Sequence, residues 1–132
     1  MNDESENLSE PVQQAMENTE TVQNYLNAAL GFYTKKKQKP PVSVVAMAVG
    51  DVPLFAVDYY GPGCEGGFIR SMSAAFNKLN DPDLGLKFNL ASRASTMREP
   101  NKQAPKYSLR VSGRGVGNPF LKSKIASLGH GS

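Results

Sequence analysis

Side chains that do acid–base or nucleophilic chemistry near neutral pH are scarce in this chain. Histidine and cysteine occur once each, as His130 and Cys64. His130 sits in Gly129-His130-Gly131-Ser132, where an acid–base role would require an ordered tail. Cys64 is followed by Glu65. A reactive thiol needs an electropositive neighbour to hold it as thiolate, and a carboxylate does the reverse, so Cys64 reads as a free structural thiol. One cysteine excludes an intramolecular disulfide, and one histidine with one cysteine cannot supply a zinc site. Asp81 and Asp83 flank Pro82 and read as turn chemistry, not as a working carboxylate pair. No catalytic residue, metal or cofactor is expected, and the chain reads as a non-enzyme.

Two features remain that could bind. The first is Gly113-Arg114-Gly115-Val116-Gly117-Asn118, between an expected strand and an expected helix, where backbone amides could meet a phosphate. The nucleotide fingerprints need Gly-x-Gly-x-x-Gly or a Gly-Lys-Ser/Thr ending, and neither is present. A plain turn is the leading reading of this run, with a phosphate-backbone contact through Arg114 behind it.

The second feature is charge. The formal net charge is only +3, but the signs are segregated. Residues 1–20 carry six acids and no base, residues 35–39 carry four lysines, and the last 47 residues hold nine bases against Glu99 alone. Such asymmetry points toward polyanionic partners. Alternation places Lys87, Asn89 and Arg93 on one strand face and Lys106, Ser108, Arg110, Ser112 and Arg114 on the next, with Arg98 and Lys102 on the connector between them. If those strands are neighbours, Lys87, Arg93, Arg98, Lys102, Lys106, Arg110 and Arg114 form one basic surface suited to a phosphate backbone. Two facts weigh against it. Exposed strands often carry Lys and Arg merely to deter edge pairing, and no aromatic falls on this face to stack bases.

The elements that must position these residues read in order along the chain. Residues 1–8 are polar and acidic and are expected to be disordered, leaving a single domain over 9–132. Ser9 can cap a helix with Pro11 in its first turn, and Val12, Ala15, Met16, Thr19, Val22, Leu26, Ala29, Leu30 and Tyr33 recur at helical steps, with Asn18-Thr19 a point where it could divide. Val42–Val49 and Val52–Tyr60 flank Gly50-Asp51, a hairpin in which Val49 pairs with Val52. Both faces of that hairpin are largely apolar, so both are expected to be covered, and Pro53 fits an edge or strand-start position. A helix over 68–80 presents Phe68, Ile69, Met72, Ala75, Phe76 and Leu79. Strands are expected over 84–93 and 106–112, and a short helix carries Leu121, Ile125 and Leu128 after an Asn118 cap. The order is α-ββ-α-ββ-α, an α+β fold with a mostly antiparallel sheet and helices packed on it. Phe55, Val57, Phe76, Phe88 and Leu109 are expected in the core.

With 39% hydrophobic residues the chain is not wholly disordered, and its apolar runs break well short of the ~18 residues of a membrane span. Without a basic flank and apolar core at its start, a cytoplasmic location is the expectation. The leading functional expectation is a non-enzymatic nucleic-acid-binding protein, RNA or DNA, favouring single strands with weak sequence dependence. The alternative is an interaction or structural subunit, docking on a protein partner or forming a homo-oligomer through the 9–33 helix.

Overall fold

The two hairpin-forming runs meet to build one four-stranded antiparallel sheet. In the computed structural model, which describes residues 9–31, 40–94 and 105–129 (backbone alone at 92–94), the elements are α1 (Glu10–Ala29), β1 (Val42–Val49), β2 (Val52–Tyr59), α2 (Glu65–Leu79), β3 (Asn89–Ala94), β4 (Tyr107–Ser112) and α3 (Leu121–Ser127). The sheet order is β1-β2-β4-β3, so the two hairpins join through β2 and β4. The fold is α+β with helices on the sheet, in the order expected.

Gly50 takes a φ of 64° at the tight turn, and Val49 pairs with Val52 as its spacing requires. Alternation then divides the residues cleanly. Val42, Val44, Phe55, Val57, Tyr59, Leu109 and Val111 face one way and are buried. All three helices bring their buried residues to this one cluster: Ala15, Val22 and Leu26 from α1, Phe68, Met72, Phe76 and Leu79 from α2, Leu121 and Ile125 from α3. Phe55, Val57, Phe76, Phe88 and Leu109 are all buried, as expected.

Among the described residues nothing covers the other face of the first hairpin, contrary to expectation. Val45, Met47, Val49 and Val52 are exposed. The helical layer is single because every helix spends its apolar stripe on the Phe55–Val57 side. Pro53 lies at the start of β2, as expected, although β2 is an internal strand. Its missing N–H costs no ladder bond, because the β2–β4 pairing begins only at Phe55.

Three local expectations also change. α1 runs unbroken through Asn18-Thr19, with Met16 exposed and Asn18 buried in its stead. Asn18 donates to the carbonyls of Val116 and Asn118 at 3.0 and 3.1 Å, so its amide bonds a distant loop instead of competing with its own helix. Tyr25, also outside the expected stripe, is buried and donates to the Ala75 carbonyl at 2.7 Å. Leu84 and Leu86 belong to a turn, not to a strand: Asp81 and Leu86 exchange backbone bonds of 2.8 and 2.9 Å, and the strand starts only at Asn89. Asp81 accepts from the Asp83 amide and Gly85 takes a φ of 73°, so turn chemistry overrides the apolar alternation there. Finally, the Asn118 side chain accepts from Phe120 just before α3, and α3 itself has no side-chain cap.

The edge strand β1 is partly sealed by α1. Asn27 both donates to and accepts from the Val42 backbone at 3.0 Å, and Gln23 accepts from the Val44 amide at 2.9 Å. Those side chains occupy the start of an edge that would otherwise invite another strand. Among the described residues no helix is long and apolar enough to cross a membrane.

Candidate nucleic-acid interface

The uncovered sheet face can be laid out in rows from the strand registers. Ser43, Asp58, Ser108 and Arg93 form one row, then Val45, Ala56, Arg110 and Ala91. Met47 pairs with Leu54 and Asn89 with Ser112 in the next, and Val49 pairs with Val52 at the hairpin tip. Beyond the Ser43–Asp58 row the β1–β2 side is apolar, whereas the β4–β3 side is polar and carries Arg93 and Arg110. β3 and β4 are antiparallel neighbours, as the basic-face expectation requires, and the register sets Arg93 opposite Ser108 and Ala91 opposite Arg110.

The seven expected contact residues are not equivalent. Arg110 is half-buried, and its Nη1 donates to Ser108 Oγ at 2.8 Å. Lys106 is exposed just before β4, its amide bonded to the Tyr59 carbonyl at 2.7 Å and its Nζ donating to the Gly61 carbonyl at 3.5 Å. Lys87 precedes β3 and Arg114 follows β4, both exposed. Arg93 stands at a strand position whose side chain lies outside the described residues, and Arg98 and Lys102 fall outside them altogether, as does His130.

A carboxylate occupies this face, which sequence reasoning missed. Asp58 pairs with Ser108 across β2 and β4, and the Ser108 hydroxyl donates to Asp58 Oδ1 at 2.6 Å while accepting from Arg110. The three side chains form one chain of bonds, so part of the Arg110 charge is already answered. Alternation alone marks Asp58 as facing away from Val57 and Tyr59. Its approach to the basic row follows from the β2–β4 pairing, which nothing local in the sequence encodes. Tyr60 lies just beyond, exposed, its phenol pushed up by burial and then by the charge of Asp58.

The glycine run is a packing device. A Cβ on Gly113 would lie 2.3 Å from the Lys87 carbonyl oxygen, on Gly115 2.3 Å from the Phe88 ring, and on Gly117 2.3 Å from the Pro11 carbonyl oxygen. Three of its amides are committed within the fold: Gly115 donates to Lys87, Val116 to Gly113 and Asn118 to Gly115. Val116 is fully buried. The close packing at Gly113, Gly115 and Gly117 accounts for the glycines without a phosphate, and Arg114 is the exposed residue of the run.

Cys64 is exposed and caps α2, its Sγ accepting from the Gly67 amide at 3.4 Å. Among the described residues no group of three or more His, Cys, Asp or Glu could hold a metal ion. Comparison with family models, with curated proteins and with solved structures finds no match to this chain.

Proposed function

We propose that the protein binds nucleic acid without catalysis, through phosphate contacts from the basic half of its open sheet face. The observation that carries this reading is the pairing of β3 with β4 on a face that no helix covers among the described residues. That pairing gathers Arg93 and Arg110 into adjacent strands, with Lys106, Lys87 and Arg114 at the strand ends. Arginine suits bidentate phosphate contact, and lysine adds less directional charge. Exposed Tyr60, one residue past β2 and beside the Tyr59–Lys106 backbone bond, supplies an aromatic surface near these cations. Asp58 works against a contact made of phosphates alone.

A salt titration of binding to labelled single-stranded DNA, duplex DNA and RNA tests the proposal. Affinity for the single strand should fall with salt at about 0.7 log units per log unit for each phosphate neutralised. Affinity that is absent for every polynucleotide, or flat with salt, refutes it.

One observation favours a second reading, docking on a protein partner: the apolar corner of the same face formed by Val45, Met47, Val49 and Val52. Docking through the apolar stripe of α1 has less room, since Val12, Ala15, Val22, Tyr25 and Leu26 are already buried in the domain.

A further inference from the structure

The basic side chains occupy only half of the open face. Val45, Met47, Val49 and Val52 are 53, 40, 64 and 55% exposed, and they adjoin one another with Leu54 and Ala56 through the β1–β2 register. Single exposed apolar residues are ordinary, whereas a contiguous set rimmed by polar groups marks a contact surface. The rim on one side is the β4 column of Ser108, Arg110 and Ser112. Neighbouring strands lie about 4.8 Å apart, so the apolar columns and the Arg110 column form one continuous two-toned surface.

We infer that the bases of a single-stranded nucleic acid lie on the β1–β2 half of the open face, at Val45, Met47 and Leu54, while its phosphates follow the Arg110 column. The inference rests on the nucleic-acid reading proposed above and assigns its ligand class. A single strand is itself two-toned, with anionic phosphates along one edge and flat, weakly polar bases along the other. A duplex hides its bases in the stack and offers this surface only phosphates. Exposed Tyr60 provides a stacking surface at the end of the same face. Asp58, awkward for phosphate, is an acceptor for the amino and imino protons that bases carry. An acidic peptide would match the basic half by charge, whereas every nucleotide of a single strand pairs an anion with a flat ring and so matches both halves at once.

Two variants test this by anisotropy with a labelled 20-nucleotide single-stranded DNA and a 20-base-pair duplex. Val45→Thr with Met47→Gln keeps strand-forming or unbranched shapes at exposed positions and removes apolar surface. Tyr60→Leu removes the ring alone and serves if the double variant does not fold. Each should bind the single strand about tenfold more weakly, with the salt slope and the duplex affinity unchanged. Wild-type affinity in both variants, against salt-sensitive binding by the unaltered protein, overturns the inference and leaves the nucleic-acid reading standing. So does a wild-type dimer in light scattering that the double variant converts to monomer, because the apolar corner then belongs to a second copy. Absence of any polynucleotide binding by the wild type removes both.

Discussion

Glycine at 113, 115 and 117 shows how a residue can matter through what it lacks. Each position presses backbone against an element remote in sequence: Lys87, Phe88 and Pro11. Gly115→Ala and Gly117→Ala should each cost about 1–3 kcal/mol in urea unfolding, the usual penalty of overpacking. Gly113→Ala should cost more, since its φ of 118° adds backbone strain to the clash. Gly66→Ala, in the first turn of α2 with nothing within 4 Å, should be neutral or stabilising by about 0.5–1 kcal/mol. Equal effects at Gly66 and Gly115 would contradict the packing account.

Asp81 carries a pH signature at the same scale. The hydrogen bond from Lys124 at 3.1 Å, with the lysine charge and the amides of Asp83 and Leu84, holds its carboxyl below the ordinary carboxylate value. A folded pKa below the unfolded one means that the unfolded chain takes up the proton first. The contribution is therefore present above the ordinary value and lost as pH falls through the lowered one. Asp81→Asn should narrow its melting-temperature gap to wild type across that acid window, and a gap that stays constant through it would sink the assignment. Asp58→Asn belongs here too. Removing the carboxylate from the basic face should raise duplex affinity, which rests on phosphates alone, about fivefold, the order of one unit charge a few ångströms away in water. Unchanged or weaker binding would show that the carboxylate does not oppose the ligand.

At the scale of elements, what was legible in the sequence is what is local. Gly50-Asp51 sets the register of the first hairpin, so the inward and outward rows of β1 and β2 could be read directly. Phe68, Met72, Ala75, Phe76 and Leu79 repeat at helical steps, and they are the buried face of α2. The misses have non-local causes. Leu84 and Leu86 alternate like a strand, yet Asp81 closes a turn around them. Asn18 is polar, and only its carbonyl partners near Val116 explain why it is buried. The basic row was visible from alternation in β4, but Asp58 joins it through the β2–β4 pairing. Leu109, central in β4 and fully buried between Val57 and the helices, should lose about 2–5 kcal/mol as Ala. A loss below 1 kcal/mol by calorimetry would place the core elsewhere.

At the scale of the whole molecule, the fold separates two tasks by face. The helices, the aromatic stack of Tyr59 on Phe68 at 4.7 Å and the buried amides of Asn18 and Asn27 hold one face together. The other face carries no helix among the described residues and is apolar toward the first hairpin's tip and basic toward β3–β4. Sequence arithmetic gave the basic excess its sign, and topology decides which bases can act together: Arg93, Lys106 and Arg110 are gathered by β3–β4, whereas Lys124 is committed to Asp81. The measurement that bears most directly on the account is the salt slope of single-strand binding for wild type and for Lys106→Gln with Arg110→Gln. Lys106 is exposed, and Arg110 gives up its bond to Ser108, so folding stability should fall by no more than about 1.5 kcal/mol. Two lost phosphate contacts should flatten the slope by about 1.4 and weaken binding at low salt far more than at high salt. A double variant that keeps both the wild-type affinity and the wild-type slope would contradict the assignment of this face.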